Sequence, residues 1–568
     1  MTDPDARLPP PRRRRFGEPR RRSPDDDTSG GGTPSSLDNA RADPEAFEGP
    51  RSRAPALLVA AGILCSRLAG LVRQRVIAHF FGLETDAADA WAAGFRIPNF
   101  LQNLFGEGAL SASFIPVYAS LLARGERREA DRVAGAVGSL LALVVSGIVL
   151  VGLVTTPWLI ELIAPGFKGA KRELTVTVVR ILFPGAGLLV LSAWCLGILN
   201  SHHRFLLSYA APVMWSAAMI VALLWFGGTT PLPQLVAILA WGSVAGSALQ
   251  FGVQIPVVLR VAPQLRVGID AASSEVRTVV RNFGPAFFSR GVVQVSAYID
   301  TVLASLLPTG AVAGLTNAQT LYTLPVSLFG MSIAAAELPA MSGVATDAAG
   351  TAALRVRLDA GLRQIAFFVV PSAMAFLALG DIIAAALLQT GRFRHTDAVY
   401  VWGILAGSAV GLLASTLGRL YSSTYFALRD TRTPMRYAIV RVVLTTVLGY
   451  LFAIPLPRLL GVPAAWGAAG LTASAGLAGW AEMLLLRATM NVRIGRTGLP
   501  AAYVAQLWGS AIAAAAVAWG LKIAMPPLHP ILTALAVLGL YGLVFITATF
   551  LLRIPEASTA VGRVARLR

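Results

Sequence analysis

Between residues 55 and 553 the chain is a succession of about fourteen apolar segments, each long enough to cross a hydrocarbon core of about 30 Å. Their approximate limits are 55–81, 87–122, 133–163, 174–200, 206–227, 233–259 and 277–307, then 311–345, 357–389, 398–427, 435–455, 462–487, 499–522 and 530–553. A backbone in lipid must satisfy its own N–H and C=O groups, which leaves only helices and closed barrels. Runs of twenty or more apolar residues are about twice the length of a barrel strand. The expected class is therefore all-α, a polytopic membrane protein. Of the 568 residues 55% are apolar and only 14% charged, against about 25% charged in soluble domains.

The net charge of +18 invites a nucleic-acid reading, but its distribution argues against one. Residues 1–53 hold 11 Arg and 10 Asp or Glu, a balance of 11 − 10 = +1, so the excess lies in the apolar body and its loops. The Pro-, Arg-, Gly- and Ser-rich stretch 1–53 has almost no apolar content and is expected to be a disordered cytoplasmic tail. Its Arg12–Arg15 and Arg20–Arg22 clusters suit anionic headgroups or plain solvation. Alternate connections carry arginine: Arg124, Arg127 and Arg128; Arg204; Arg260 and Arg266; Arg355 and Arg357; Arg429 and Arg432; Arg493 and Arg496. The opposite loops, such as 227–233 and 307–311, are nearly uncharged. Positive-inside logic places both termini in the cytoplasm, which requires an even number of spans. The loop at 164–173, with Lys168, Lys171 and Arg172, runs against the pattern. Cys65 and Cys195 fall in no disulfide or metal spacing, and the His202-His203 pair reads as solvated polarity.

Two segments carry charges that a membrane helix tolerates poorly. The first holds Arg67, Arg73 and Arg75; the second holds Asp89, Arg96 and Glu107. A charge at a helix centre costs roughly 2.5–3.5 kcal/mol even on the lenient insertion scale, so such groups face a bundle interior or a wet cavity. At 100° per residue, Asp89, Arg96, Asn103 and Glu107 fall within about 20° of one line, with Asn99 about 60° aside. A polar stripe of that length lines a pathway.

The same region carries a family resemblance. SRLAGLVRQRVIAHFFG (Ser66–Gly82), TDA (Thr85–Ala87) and FRIPNFLQNLFGEGALSASFIPV (Phe95–Val117) are followed by APGF at Ala164, GILNSHHRF at Gly197, LLQTGRF at Leu387 and YFALRDTRTP at Tyr425. Together, and in this order over residues 55–568, they resemble the MurJ (MviN) family of lipid II flippases within the MATE/polysaccharide-exporter (MOP) superfamily. The resemblance implies fourteen helices: two pseudo-symmetric six-helix lobes, here 54–270 and 271–490, plus two further helices and a basic end at 491–568. It also implies alternating access to a cationic cavity. The substrate would be lipid II, an undecaprenyl-linked disaccharide-pentapeptide pyrophosphate used in peptidoglycan (cell-wall) assembly, and the place of work the cytoplasmic (inner) membrane. Membrane lipids and other cell-wall synthesis proteins are the expected partners. Arginine suits such cargo, because its guanidinium stays charged and meets phosphate oxygens bidentately. No catalytic residue, metal or cofactor is called for.

By this resemblance Arg67 and Arg73 are cavity arginines, with structural pairing to Asp86, Asp89 or Glu107 as the alternative. Arg96 matches a basic family position, whereas Arg75 is as readily a residue that snorkels to the interface. Glu107 reads as a salt-bridge partner or gate element. Two family arginines are absent: Gln102 stands at one position and Thr320, preceded by Gln319, at the other. Arg290 and Glu337 lie at matching depth in the seventh and eighth segments, either as a compensating ion pair or with Arg290 taking over a lost substrate contact. Asp300 resembles an acid that some members use in a sodium site, but Thr445 and Gly449 are poor replacements for its partners, since hard cations want an oxygen shell. Sodium, protons and membrane potential all remain as drives. The competing readings are a flippase for another undecaprenyl-pyrophosphate glycan (O-antigen or exopolysaccharide) and a polytopic glycosyltransferase. The latter would need a catalytic carboxylate or metal on a sizeable outer loop, and these loops are short.

Overall fold

The computed structural model describes residues 53–268, 273–343, 348–526 and 528–558, so the N-terminal tail and the Arg563–Arg568 end lie outside the described residues. Every element is helical, and the sole strand-like feature among the described residues is an isolated bridge between Thr390 and Phe393. The chain runs α1 Arg53–Phe81, α2 Asp86–Gly94, α3 Arg96–Asn103, a π-helical turn at Leu104–Leu110, and α4 Ser111–Ala123. It continues with α5 Arg127–Ile163, α6 Gly169–Ser201, α7 Phe205–Phe226, α8 Leu232–Val261 and α9 Ser274–Ser305. Then come α10 Ala311–Pro325, a second π-helical turn at Val326–Met331, α11 Ser332–Ser342, α12 Ala348–Leu388 and α13 His395–Ala427. The chain closes with α14 Arg432–Ala453, the short α15 Pro455–Leu459, α16 Gly467–Ile494, α17 Ala501–Ala524 and α18 Pro530–Leu551.

Among the described residues, length and apolarity select 11 helical stretches as membrane spans. The helical stretches at 53–81, 86–123 and 274–305 fall outside that selection, and they are the ones that carry Arg67, Arg73, Arg96, Arg290 and Asp300. These charges lower the hydropathy of the three stretches. The lipid-facing surface is apolar, with Leu150, Val154, Trp158 and Leu162 exposed on α5 and Leu535, Leu543 and Phe550 on α18.

In lipid, helices associate through close van der Waals approach rather than through a hydrophobic drive, so small residues gather at their contacts. One such close contact is between α13 and α16, where a Cβ on Gly411 would sit 2.3 Å from the Cα of Gly476. Gly82 ends α1 at φ +65°, a left-handed conformation that favours glycine, with the carbonyl of Arg392 only 3.1 Å from where a Cβ would be. Around these contacts α5–α8 pack on one another, as do α12, α13, α14 and α16, while α17 and α18 lie against α12.

The second segment is not the continuous helix that the stripe assumed. It breaks at Phe95 and changes register at the π-helical turn 104–110, where i→i+5 bonding inserts an extra residue. Arg96, Asn99 and Asn103 keep to the cavity side, but Asp89 turns away from it.

Candidate functional site

A cavity of about 610 Å³ lies between α1–α3 on one side and α9–α10 on the other. Arg67, Arg73 and Arg96 all line it, together with Asn99, Asn103 and Gln319. The broken second segment is what brings Arg96 to the same wall as the two α1 arginines.

Arg73 is held by aromatic faces rather than by a carboxylate. Its guanidinium carbon lies 4.8 Å from the ring of Trp215 and 5.7 Å from that of Phe95, and the two rings stack 5.5 Å apart. One N–H also reaches Ser216 Oγ at 3.3 Å. Cation–π contact of this kind orients a guanidinium without neutralising it, which leaves its forked donors for an anion. Arg67 is exposed to the cavity and makes no hydrogen bond or ion pair among the described residues. Arg96 donates to Gln319 Oε1 at 3.0 Å, and its own carbonyl accepts from the Tyr298 hydroxyl at 2.9 Å. Gln319 thus ties α3 to α10 without adding a charge.

The carboxylates expected to pair with these arginines are engaged elsewhere. Asp89, 1% exposed, accepts from Lys171 Nζ at 2.5 Å and from the backbone N–H groups of Gly310 and Ala313, both at 2.9 Å. Asp86 lies 3.7 Å from the same lysine. Asp89 therefore caps the N-terminus of α10, where unsatisfied N–H groups and the helix dipole favour an anion. This also explains the basic loop at 164–173: Lys171 is there to serve Asp89. The side chain of Glu107 lies outside the described residues; its backbone belongs to the first π-helical turn.

Further contacts close the same end. Arg75 does not snorkel: it donates to the carbonyls of Ala386 at 2.7 Å and Leu387 at 3.2 Å. His79 meets Thr390 Oγ1 at 2.9 Å while its carbonyl accepts from Arg392 N, also at 2.9 Å. The 386–392 turn is thereby laced to α1. These contacts lie at the end of the cavity away from Arg67.

Glu337 lies 3.7 Å from Arg357 of α12; its expected pairing with Arg290 lies outside the described residues, because the Arg290 side chain is not among them. Asp300 has one carboxylate oxygen buried without a hydrogen bond, and the charges acting on it are Arg96 and Arg441. With Thr445 and Gly449 buried nearby on α14, this surrounding offers positive charge where a sodium ion requires several oxygen ligands.

Among the intramembrane charges not singled out from the sequence are Arg419 on α13, Arg441 on α14 and Glu482 on α16, the last two paired at 3.0 Å. The signal was present, since each stands inside a long and largely apolar segment.

Comparison with known proteins agrees with this architecture. The family model described as lipid II flippase MurJ matches residues 77–538. A lipid II flippase MurJ of Burkholderia cenocepacia is 32% identical over 438 residues, 76% of this chain and 82% of that protein. A probable lipid II flippase MurJ of Rhizobium meliloti is 30% identical over 481 residues, 82% and 85% of the two chains. Among solved structures, a lipid II flippase MurJ in an inward closed conformation superposes with a TM-score of 0.72 at 20% identity, covering 88% of this chain and 99% of the other. An inward-facing MATE multidrug transporter of the MOP superfamily gives 0.60 at 18% identity over 77% and 98%. The fold is thus the MurJ/MATE one, and with a matching family model over most of its length the chain belongs to the lipid II flippase MurJ family.

Proposed function

We propose that this multi-pass membrane protein is a flippase that carries lipid II from the cytoplasmic to the outer leaflet of the cytoplasmic membrane, for peptidoglycan assembly. The observation that carries the reading is one cavity lined by Arg67, Arg73 and Arg96, in which Arg67 and Arg73 have no carboxylate partner among the described residues. Moving a pyrophosphate across lipid means replacing its hydration with fixed donors, and guanidinium–phosphate bonds are strongest in a site of low dielectric. No bond is made or broken in the cargo, so the task is binding, release and a change of access.

The seal of Asp89, Lys171, Arg75 and His79 supports a cycle in which the cavity is loaded from the cytoplasmic side. Release then requires that seal to part while the lobes 54–270 and 271–490 rock against each other, with 491–568 moving with the second lobe. Both termini face the cytoplasm in this scheme. The cavity arginines Arg67, Arg73 and Arg96 all lie in the first lobe, while Thr320 on the facing helix is uncharged.

The test is depletion in the native host with lipid II measured by leaflet. Accumulation on the inner leaflet, relieved by the wild-type chain but not by Arg73→Ala at equal membrane level, supports the assignment. Unchanged lipid II with accumulation of a different undecaprenyl-linked glycan would overturn it in favour of a flippase for that glycan.

A further inference from the structure

Arg419 has no role in the scheme above, yet it is placed where the cargo must pass. It lies in α13 eight residues before Ala427, about 12 Å from the cytoplasmic end of that helix. Ser408, Ser415, Arg419 and Ser422 share a sector of about 60° on the helix, while Leu417, Leu420 and Tyr421 on its other faces are buried. This polar stripe runs beside the cavity wall: Ser415 Oγ meets the Tyr322 hydroxyl of α10 at 2.8 Å, and Gln319, Thr320 and Thr323 of the same helix line the cavity. Arg419 is exposed and makes no hydrogen bond or ion pair among the described residues. The charged neighbours acting on it are Arg441 and Glu482, which pair with each other at 3.0 Å. An unneutralised arginine at this depth in lipid would be costly, so the stripe faces the wet cleft.

Its depth decides what it can hold. The His79–Thr390 contact sets the outer ends of α1 and α13 at one level. Measured along the helices at 1.5 Å per residue, Arg73 and Arg67 lie about 9 and 18 Å below His79, and Arg419 about 36 Å below His395. The difference, about 18–27 Å, is far beyond the two phosphates of one pyrophosphate. A five-residue peptide extends up to about 18 Å, and the sugar that bears it adds to that reach.

Building on the proposed function, we infer that Arg419 binds a carboxylate of the cargo's peptide while the pyrophosphate sits on Arg67 and Arg73. It is then a specificity residue that distinguishes the complete glycopeptide carrier from shorter undecaprenyl pyrophosphates. Because Arg419 is unpaired, neutralising it orphans no buried partner, so Arg419→Gln should insert and fold as wild type.

The experiment measures binding of purified full-length protein to three probes: lipid II, lipid II with amidated peptide carboxylates, and undecaprenyl pyrophosphate. Arg419→Gln should weaken lipid II binding about tenfold, about 1.4 kcal/mol, and leave undecaprenyl pyrophosphate unchanged. Wild type should bind the amidated cargo as weakly as the variant binds native cargo, and Arg419→Lys should recover part of the loss. Equal weakening toward both native carriers would assign Arg419 to the pyrophosphate and overturn the inference. So would an Arg419→Gln protein indifferent to all three probes. Wild type that binds none of them would overturn the flippase assignment as well, which separates the two failures.

Discussion

Asp89→Asn should unlatch the outer seal. The carboxylate is 1% exposed and satisfies three donors: Lys171 Nζ at 2.5 Å and the N–H groups of Gly310 and Ala313 at 2.9 Å. Asparagine keeps one acceptor oxygen for Lys171 and Gly310 and turns its NH₂ toward the Ala313 N–H, so that N–H loses its acceptor and the lysine its counter-charge. Breaking a buried pair costs about 3–5 kcal/mol. Lys171 retains Asp86 at 3.7 Å, which places the expected loss at the lower end. Since these bonds exist only while the outer end is closed, about 3 kcal/mol shifts the closed-to-open equilibrium on the order of a hundredfold. The assay is labelling of Thr320→Cys, a cavity position, by an impermeant thiol reagent added outside, in a Cys65→Ser background. Labelling should accelerate by ten- to a hundredfold in Asp89→Asn. An unchanged rate at normal membrane abundance would refute the seal.

Three further outcomes are expected. Arg73→Ala should abolish transport without abolishing insertion, and Arg73→Lys should restore only part of it, since an ammonium keeps the charge above Trp215 but lacks the planar fork; complementation of a depleted strain checks this. Arg441→Gln leaves the Glu482 carboxylate, 14% exposed, without its partner. The expected cost is about 2 kcal/mol, below the fully buried range because Arg441 is itself 40% exposed, and the double variant with Glu482→Gln should recover the thermal midpoint. Asp430, in the turn between α13 and α14, is lowered to about 2 by hydrogen bonds from the Thr433 hydroxyl and N–H and by Arg493 at 2.6 Å. A depressed carboxylate contributes stability that is complete above its unfolded value near 3.9 and is lost as pH falls toward 2. Wild type should therefore exceed Asp430→Asn in thermal stability at neutral pH, with the gap closing below about pH 4.

The helical class and the cavity arginines were legible because lipid is an unforgiving solvent. A span must be helical, and Arg67, Arg73 or Arg96 within one must turn toward something polar, whatever the details of packing. What could not be read was which charges meet. Lys171, in the first turn of α6, is far from Asp89 in sequence, and only the fold brings them together. Depth along a helix says nothing of azimuth, and the contact of Glu337 with Arg357 could not be read from it. At 3.7 Å and with side chains 29% and 49% exposed, that contact is a surface pair worth about 0–1 kcal/mol, not a buried pair that costs several to break. The stripe on the second segment erred at Asp89 because a constant 100° per residue does not survive a break at Phe95 and a π-helical turn.

Among the described residues the π-helical turns stand at 104–110 and 326–331, each in a helix that borders the cavity and one on either side of it. Each is a surplus residue trapped inside a continuous hydrogen-bonded rod, a dislocation rather than a break. Handing the surplus on by one position trades an i→i+5 bond for an i→i+4 bond, so the number of bonds is conserved while the residue it crosses turns by about 100° and rises about 1.5 Å. A rod with such a defect can re-aim part of its length without melting and without moving its ends. The chain thus carries, on both walls of its pathway, a means of changing which side chains face the cargo that requires no loop, no proline hinge and no loss of backbone satisfaction in lipid.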